Sequence, residues 1–219
     1  MTEDRAAKLA AIATEIRRCS ACRLHKSANN SVPGYGDANA EILFIGEAPG
    51  FEEDRQGLPF VGRSGRYLDY LLNLIGMKRE QVFITNVIKH RPPENRDPQA
   101  DELVACKSFI DRQFEIINPL VVVTLGRFSM TRYFPDGKIS QIHGRPRYDT
   151  DRAYYPMFHP AAALRTPELR HDMEADIQRL PEIVTEAKRR RDQRPDIAQK
   201  PPVPNQQPDE EPPKQLKLF

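Results

Sequence analysis

Cysteine spacing is the first sign of chemistry in this sequence. Cys19 and Cys22 form a C-x2-C pair, which lets two thiolates bind one metal centre. Cys106 is the third cysteine and lies far along the chain. His90 stands between two basic residues where an apolar run turns into a proline-rich loop. That position is compatible with four roles: a loop residue, a phosphate contact, a catalytic base or a metal ligand.

A second sign is a set of short polar segments that each follow an apolar run. "GEAPG" (46–50) presents Glu47 and backbone N–H groups in a loop that its glycines permit. "FHPAAALR" (158–165) places His159 just before a helix that starts with proline. The other two segments are "TNVIKHRPP" (85–93) and "LGR" (125–127). Taken singly, each is also compatible with an ordinary turn or helix start.

The elements that must position these segments alternate between strands and helices. Apolar, β-rich runs predict strands at 41–46, 82–87, 120–126 and 153–158. Helical periodicity predicts helices at 3–18, 64–76, 101–117 and 127–134, and a closing helix at 166–191 with a possible break at Pro181. This alternation predicts a doubly wound α/β domain with a central parallel sheet. In such sheets ligands bind beyond the carboxyl ends of the strands, where the four segments lie.

Composition separates a folded domain from a tail. The 20 prolines of the 219 residues are too many for one compact fold, and many of them follow Asp192. We therefore predict a folded domain at 1–191 and a disordered, extended, Pro-rich tail at 192–219. The net charge of +2 means that any nucleic-acid-binding face must be local. The sequence has no signal peptide and no membrane-spanning run, so we expect a cytoplasmic protein in which disulfides do not form.

The strand-end segments together resemble the family 4 uracil-DNA glycosylases, which carry an iron–sulfur cluster. The matching stretches are "GEAPGFEED", "GLPFVGRSGRYLD", "FITNVIKHRPPENRDP" and "FHPAAALR", within roughly residues 15–185. The resemblance implies a three-layer α/β/α uracil-DNA glycosylase-like fold with a central, mainly parallel four-stranded sheet. It also implies a monofunctional hydrolase that removes uracil from DNA and thereby initiates base excision repair.

The same resemblance assigns roles around the uracil base. Glu47 would orient or deprotonate the attacking water, and His159 would donate a hydrogen bond to uracil O2, where negative charge develops. Phe60 would stack on the base, and Asn86 would read its edge, because an amide both donates and accepts. The main-chain groups of Ala48 and Pro49 would line the same pocket.

Further residues are predicted to contact DNA. Leu164 would fill the gap left by the flipped base, as apolar wedges do. Four basic side chains are predicted phosphate contacts: Arg63, Lys89, Arg91 and Arg165. A branch of the superfamily links covalently to uracil-DNA through a histidine, but it carries glutamine where Ala48 stands here. We therefore interpret His143, the competing histidine, as a loop residue.

The resemblance also favours a metal ligand as the role of His90; the alternative is a cluster that the three cysteines hold with His90 merely close by. The family holds a 4Fe–4S cluster with four cysteines, whose positions here are Cys19, Cys22, His90 and Cys106. Three cysteines and one histidine are also an ordinary tetrahedral zinc set. Histidine can replace cysteine at iron, as in Rieske centres. We predict a 4Fe–4S cluster with a structural role and keep zinc as the alternative.

Other functions and a partner remain open at this point. One alternative is a non-catalytic, zinc-stapled DNA-repair adaptor. Another is a nucleotide-binding enzyme with GEAPG as its phosphate loop, although the Lys-Ser/Thr pair of a P-loop is missing. We expect a monomer. The C-terminal "QLKLF" resembles the bacterial sliding-clamp-binding motif through Gln215, Leu216, Leu218 and Phe219, and Lys217 departs from the usual third position.

Overall fold

Four parallel strands form the centre of a six-stranded sheet in the computed structural model, which describes residues 4–193. The sheet order is β1-β3-β2-β4-β6-β5. The strands are β1 (Tyr35–Gly36), β2 (Ile42–Gly46), β3 (Phe83–Asn86), β4 (Val121–Leu125), β5 (Arg147–Tyr148) and β6 (Ala153–Met157). The four predicted strands are the parallel core. The predicted number of four is wrong, because two short antiparallel strands, β1 and β5, extend the edges.

Helices follow the strands and cover both faces of the sheet. In the part of the chain that the structure describes they are α1 (Arg5–Arg17), α2 (Phe51–Gln56), α3 (Arg63–Leu74), α4 (Ala100–Ile117), α5 (Arg127–Thr131), α6 (Ile139–Ile142), α7 (Pro160–Arg165), α8 (Leu169–Gln178) and α9 (Leu180–Asp192). The predicted break in the closing helix falls between α8 and α9, where Pro181 occupies the first turn of α9. No helix among the described residues is long and apolar enough to cross a membrane.

Alternation along the buried strands produces three layers. Phe44 and Val123 point to one face, where they pack with Leu68 of α3 and with residues of α8 and α9. Ile45 and Val122 point to the opposite face, where they pack with α1 and α4. Successive strand side chains point to opposite faces, so strands covered on both sides are mainly apolar at consecutive positions. The predicted α/β class and the three-layer arrangement are confirmed.

The last helix ends at the amino ends of the strands. The Arg191 guanidinium donates to the carbonyls of Pro119 at 2.7 Å and Asp151 at 2.9 Å, and Lys188 lies 3.8 Å from Glu41. Each of these three partners precedes a strand of the central sheet. The predicted tail and its QLKLF motif lie outside the described residues, apart from positions 192 and 193.

Candidate active site and candidate metal centre

A cavity of about 350 Å³ opens at the carboxyl ends of β2, β3 and β6. It brings together the residues predicted to act on the base, with Arg165 at the end of α7. Arg63, Arg91 and Leu164 do not line it among the residues described. The lining consists of Glu47, Ala48, Pro49, Gly50, Glu53, Phe60, Ser64, Asn86, Pro92, Asn95, Arg96, His159, Ala161 and Arg165.

Glycines allow the Phe60 ring to reach the cavity wall. The ring stacks on the His159 imidazole with a centroid distance of 5.6 Å and an interplanar angle of 29°. Gly46 ends β2, and a Cβ atom there would lie 2.6 Å from the Phe60 ring and also collide with Asn86 Oδ1. A Cβ atom on Gly65 would overlap the Phe60 carbonyl. The position of Phe60 therefore requires glycine both at the end of β2 and in α3.

The Phe60 backbone is held in the left-handed region at φ 52°. This conformation costs a non-glycine residue on the order of 1–3 kcal/mol, so the surroundings must enforce it. Glu53 Oε1 accepts the N–H groups of Val61 at 2.9 Å and Gly62 at 2.8 Å, and Arg79 Nη2 donates to the Phe60 carbonyl at 2.7 Å. Sequence reasoning missed both supports. The only available signal for Glu53 was its place in "GEAPGFEED".

Asn86 supplies an unsatisfied polar atom beside the cavity. It is the last residue of β3 and is 1% exposed, yet its Oδ1 has no hydrogen-bond partner among the described residues. Buried side-chain oxygens are normally hydrogen-bonded. An orphan acceptor that lines a cavity therefore indicates a ligand that donates a hydrogen bond.

His159 is a neutral donor. Its Nδ1 accepts the N–H of Ala161 at 3.1 Å, which leaves the ring proton on Nε2. Burial, and then the charge of Arg165, lower the pKa of His159 to about 4. The imidazole is consequently uncharged at neutral pH, with one N–H available to a ligand.

Glu47 follows β2 directly and is half-buried. Burial is the main cause that raises the pKa of Glu47, and the charge of Asp97 raises it further. Arg127 and Arg165 act in the opposite direction. Asp97 and Arg127 also form an exposed ion pair at 2.7 Å. A carboxyl group with a raised pKa is suited to accept a proton.

The structure contradicts one predicted DNA contact, Lys89. Its side chain is fully buried, and its ammonium donates to Thr85 Oγ1 at 2.7 Å, Gln113 Oε1 at 2.8 Å and the Asn86 carbonyl at 2.9 Å. Burial lowers the pKa of Lys89 to about 7. A side chain enclosed in this way cannot reach a phosphate group, so the prediction is wrong. Lys89 instead fixes the end of the strand that carries Asn86.

The other predicted DNA contacts lie near the cavity and stay predictions. Arg63 and Arg165 are exposed, and Leu164 is half-buried on α7. Arg91 is half-buried and donates through Nε to Asn95 Oδ1 at 2.8 Å.

His143 lies outside the cavity lining in the described region. Its Nδ1 forms a hydrogen bond with Asp176 at 2.8 Å, and its ring packs against Phe158 with a centroid distance of 4.5 Å.

The three thiols lie in one region of the structure. Cys22 and Cys106 pack against the same apolar side chains, Leu24 and Ile88. Burial raises the pKa of the Cys106 thiol to about 11, and the charges of Cys22 and Cys19 also raise it. The backbone N–H of Lys89 donates a hydrogen bond to the Cys106 sulfur, which lowers the pKa of Cys106 and opposes this rise.

The predicted ligands do not converge on one point. His90 is buried, which lowers its pKa, and the charges that reach it are those of His25 and Asp54. Among residues 4–193, no three histidine, cysteine or acidic side chains are close enough to hold a single ion. Zinc would require four ligand atoms within about 2.0–2.3 Å of one centre. Three thiolates and one imidazole are donors that either zinc or an iron–sulfur cluster can use, so the chemistry of these side chains fits both groups.

Known proteins are similar to this chain over most of its length. The family model for the uracil DNA glycosylase superfamily matches residues 33–180. A type-4 uracil-DNA glycosylase of Saccharolobus solfataricus is 44% identical over 184 residues, which cover 80% of this chain and 85% of the relative. The corresponding enzyme of Sulfurisphaera tokodaii is 43% identical and covers 81% and 86%, and that of Thermotoga maritima is 42% identical and covers 77% and 90%.

Proposed function

The chain belongs to the uracil DNA glycosylase superfamily, and we propose that its cavity removes uracil from DNA by hydrolysing the N-glycosidic bond. One observation carries the proposal: a neutral N–H donor, a stacked aromatic ring and an orphan amide oxygen surround one cavity. Nothing among the described residues favours the non-catalytic adaptor, which needs no such cavity.

Recognition of uracil follows from Phe60 and Asn86. A glycosylase flips its target nucleotide out of the stack, at a cost of a few kcal/mol, and reads the base in a pocket. Phe60 offers its ring face, and the unpartnered Asn86 Oδ1 accepts the N3–H of uracil while the amide nitrogen donates to O4. Cytosine carries an amine in place of O4 and no proton on N3, so both contacts would be mismatched. Such polar mismatches discriminate strongly.

Bond cleavage follows from His159 and Glu47. The bond between C1′ and N1 breaks, and its electron pair leaves with the uracil ring. The Nε2–H of His159 donates to O2, where the negative charge develops; one preorganised donor is typically worth about 100- to 1000-fold in rate. Glu47 orients a water molecule, whose oxygen bonds to C1′, and accepts the proton released. The raised pKa of Glu47 suits this role.

Two substitutions test this assignment. Glu47→Gln and His159→Ala should fold normally and lose uracil release by at least about tenfold, since each removes a group that acts on the transition state. The assay uses a uracil-containing oligonucleotide and alkaline cleavage of the abasic sites. His171→Ala, at an exposed histidine on α8, is the matched control. Wild-type rates in both test variants would refute the mechanism.

Cys19, Cys22, Cys106 and His90 would hold a 4Fe–4S cluster. Bound there, the group supplies a structural cross-link between the chain after α1 and the segment 88–106. Anaerobically purified protein should be brown. His90→Cys should keep the cluster and lower its reduction potential, whereas His90→Ala should make the cluster labile. A colourless protein with one zinc ion per chain would show that the zinc alternative is correct.

We also propose that QLKLF binds a bacterial sliding clamp. Its apolar anchors Leu216, Leu218 and Phe219 are worth about 1.5–3 kcal/mol each when fully buried. Ordering costs would leave a contact of roughly micromolar affinity, and the tail would tether the enzyme near replicating DNA. A peptide of residues 205–219 should bind the clamp, and the double substitution Leu218→Ala, Phe219→Ala should abolish binding. Equal binding by both peptides would refute the proposal.

A further inference from the structure

An aromatic side chain is exposed beside the cavity. Phe51 is the first residue of α2, and 58% of its surface is accessible. Its chain neighbour Gly50 lines the cavity. Burying a phenylalanine ring stabilises a protein, yet most of this residue is exposed to solvent. The recognition and cleavage steps described above do not involve Phe51.

One face of the Phe51 ring is supported by a cation. The Arg91 guanidinium carbon lies 5.2 Å from the ring centroid, within the range of a cation–π contact. Arg91 is itself held by the side chain of Asn95, which lines the cavity. The ring and its supporting cation therefore belong to the rim of the cavity, and the ring remains largely exposed there.

We propose that Phe51 is a stacking platform for the nucleobase adjacent to the flipped uracil. The inference rests on the proposed glycosylase function. Flipping removes a stacking partner from each neighbouring base, and an exposed aromatic ring at the rim can replace it for any base, because every base has a π face. Arg91 strengthens the platform and brings a positive charge to the adjacent backbone. Leu164 was assigned the different task of filling the vacated gap.

Steady-state kinetics on single-stranded uracil oligonucleotides test the platform. Phe51→Ala should raise KM by roughly 5- to 100-fold and leave kcat unchanged, because stacking holds substrate and transition state equally. Phe51→Trp should keep the wild-type KM. Phe51→Leu, which retains apolar area without a π face, should resemble Phe51→Ala. The control is Leu74→Ala, at a residue that is 39% exposed at the far end of α3.

A fluorescent base reports stacking directly. The probe is an oligonucleotide with 2-aminopurine next to a cleavage-resistant 2′-fluoro-deoxyuridine. Wild type and Phe51→Trp should quench the fluorescence, and Phe51→Ala at saturating concentration should not. Equal quenching by wild type and Phe51→Ala, or an unchanged KM, would overturn the proposal even if the wild type releases uracil. A wild-type protein that releases no uracil would instead overturn the proposed function on which the inference rests.

Discussion

Acidification should destabilise the wild-type protein more than a His159→Gln variant. Burial lowers the pKa of His159 from its ordinary value of 6.5 to about 4. In the unfolded chain the His159 imidazole is therefore protonated below about pH 6.5, whereas in the folded protein it is protonated only below about pH 4. The neutral imidazole makes its full contribution to the unfolding free energy above pH 6.5. This contribution is lost as the pH falls from 6.5 to about 4. Glutamine does not titrate, so the variant lacks the effect.

The two pKa values set the size of the effect. At about pH 5 the difference in proton binding should cost the wild type about 2 kcal/mol of unfolding free energy relative to about pH 8. Carboxylates and the proposed metal centre also respond to acid. They are common to both proteins, so they cancel when the two pH-dependent losses are subtracted.

Urea unfolding at both pH values gives the measurement. The wild type should lose about 2 kcal/mol more than His159→Gln between about pH 8 and about pH 5. His171→Gln, at the exposed histidine of α8, should lose as much as the wild type. Equal losses in wild type and His159→Gln would refute the neutral imidazole and, with it, the uncharged donor in the proposed cleavage step.

Three further substitutions test other parts of the site. Asp97→Asn should shift the acidic limb of the pH–kcat profile to lower pH, because the Asp97 charge raises the pKa of Glu47; an upward shift would contradict this. Gly46→Ala should lower kcat/KM by about a hundredfold with unchanged circular dichroism, since its Cβ would displace the Phe60 ring; wild-type kinetics would contradict it. Lys89→Ala should lower the unfolding free energy by about 2–5 kcal/mol in urea titrations, because it opens a cavity and leaves buried acceptors unsatisfied; a change within about 0.5 kcal/mol, typical of a surface site, would contradict it.

The central sheet was predictable because its signal is local. Segment 120–126 is apolar except at Thr124 and Gly126, a pattern typical of strands covered on both faces. The edge strands β1 and β5 have two residues each, too few for any alternation to appear. They form because neighbouring strands present unpaired backbone groups, a condition that exists only in the assembled sheet.

The misassigned residue shows where sequence patterns fail. Lys89 is followed by histidine and arginine, so its segment looks charged and exposed in the sequence. Its burial depends on Gln113, which reaches it from α4, and on Thr85 of β3. The left-handed backbone of Phe60 is hidden in the same way, because Arg79 and Glu53 enforce it from separate elements. In both cases the conformation depends on hydrogen bonds between residues that are distant in the sequence, which sequence patterns do not show.

The position at which α9 ends determines how the cavity is oriented when the enzyme is attached to a surface through its C-terminal chain. Arg191 anchors the helix at the amino ends of the strands, and the cavity opens at their carboxyl ends. Five-residue strands separate the two poles by about 16 Å. A protein attached through the chain that follows Gln193 is therefore held on the side of the amino ends of the strands. Its active-site cavity lies on the opposite side. An enzyme immobilised through its C-terminus on a sensor chip should keep full access to DNA in solution.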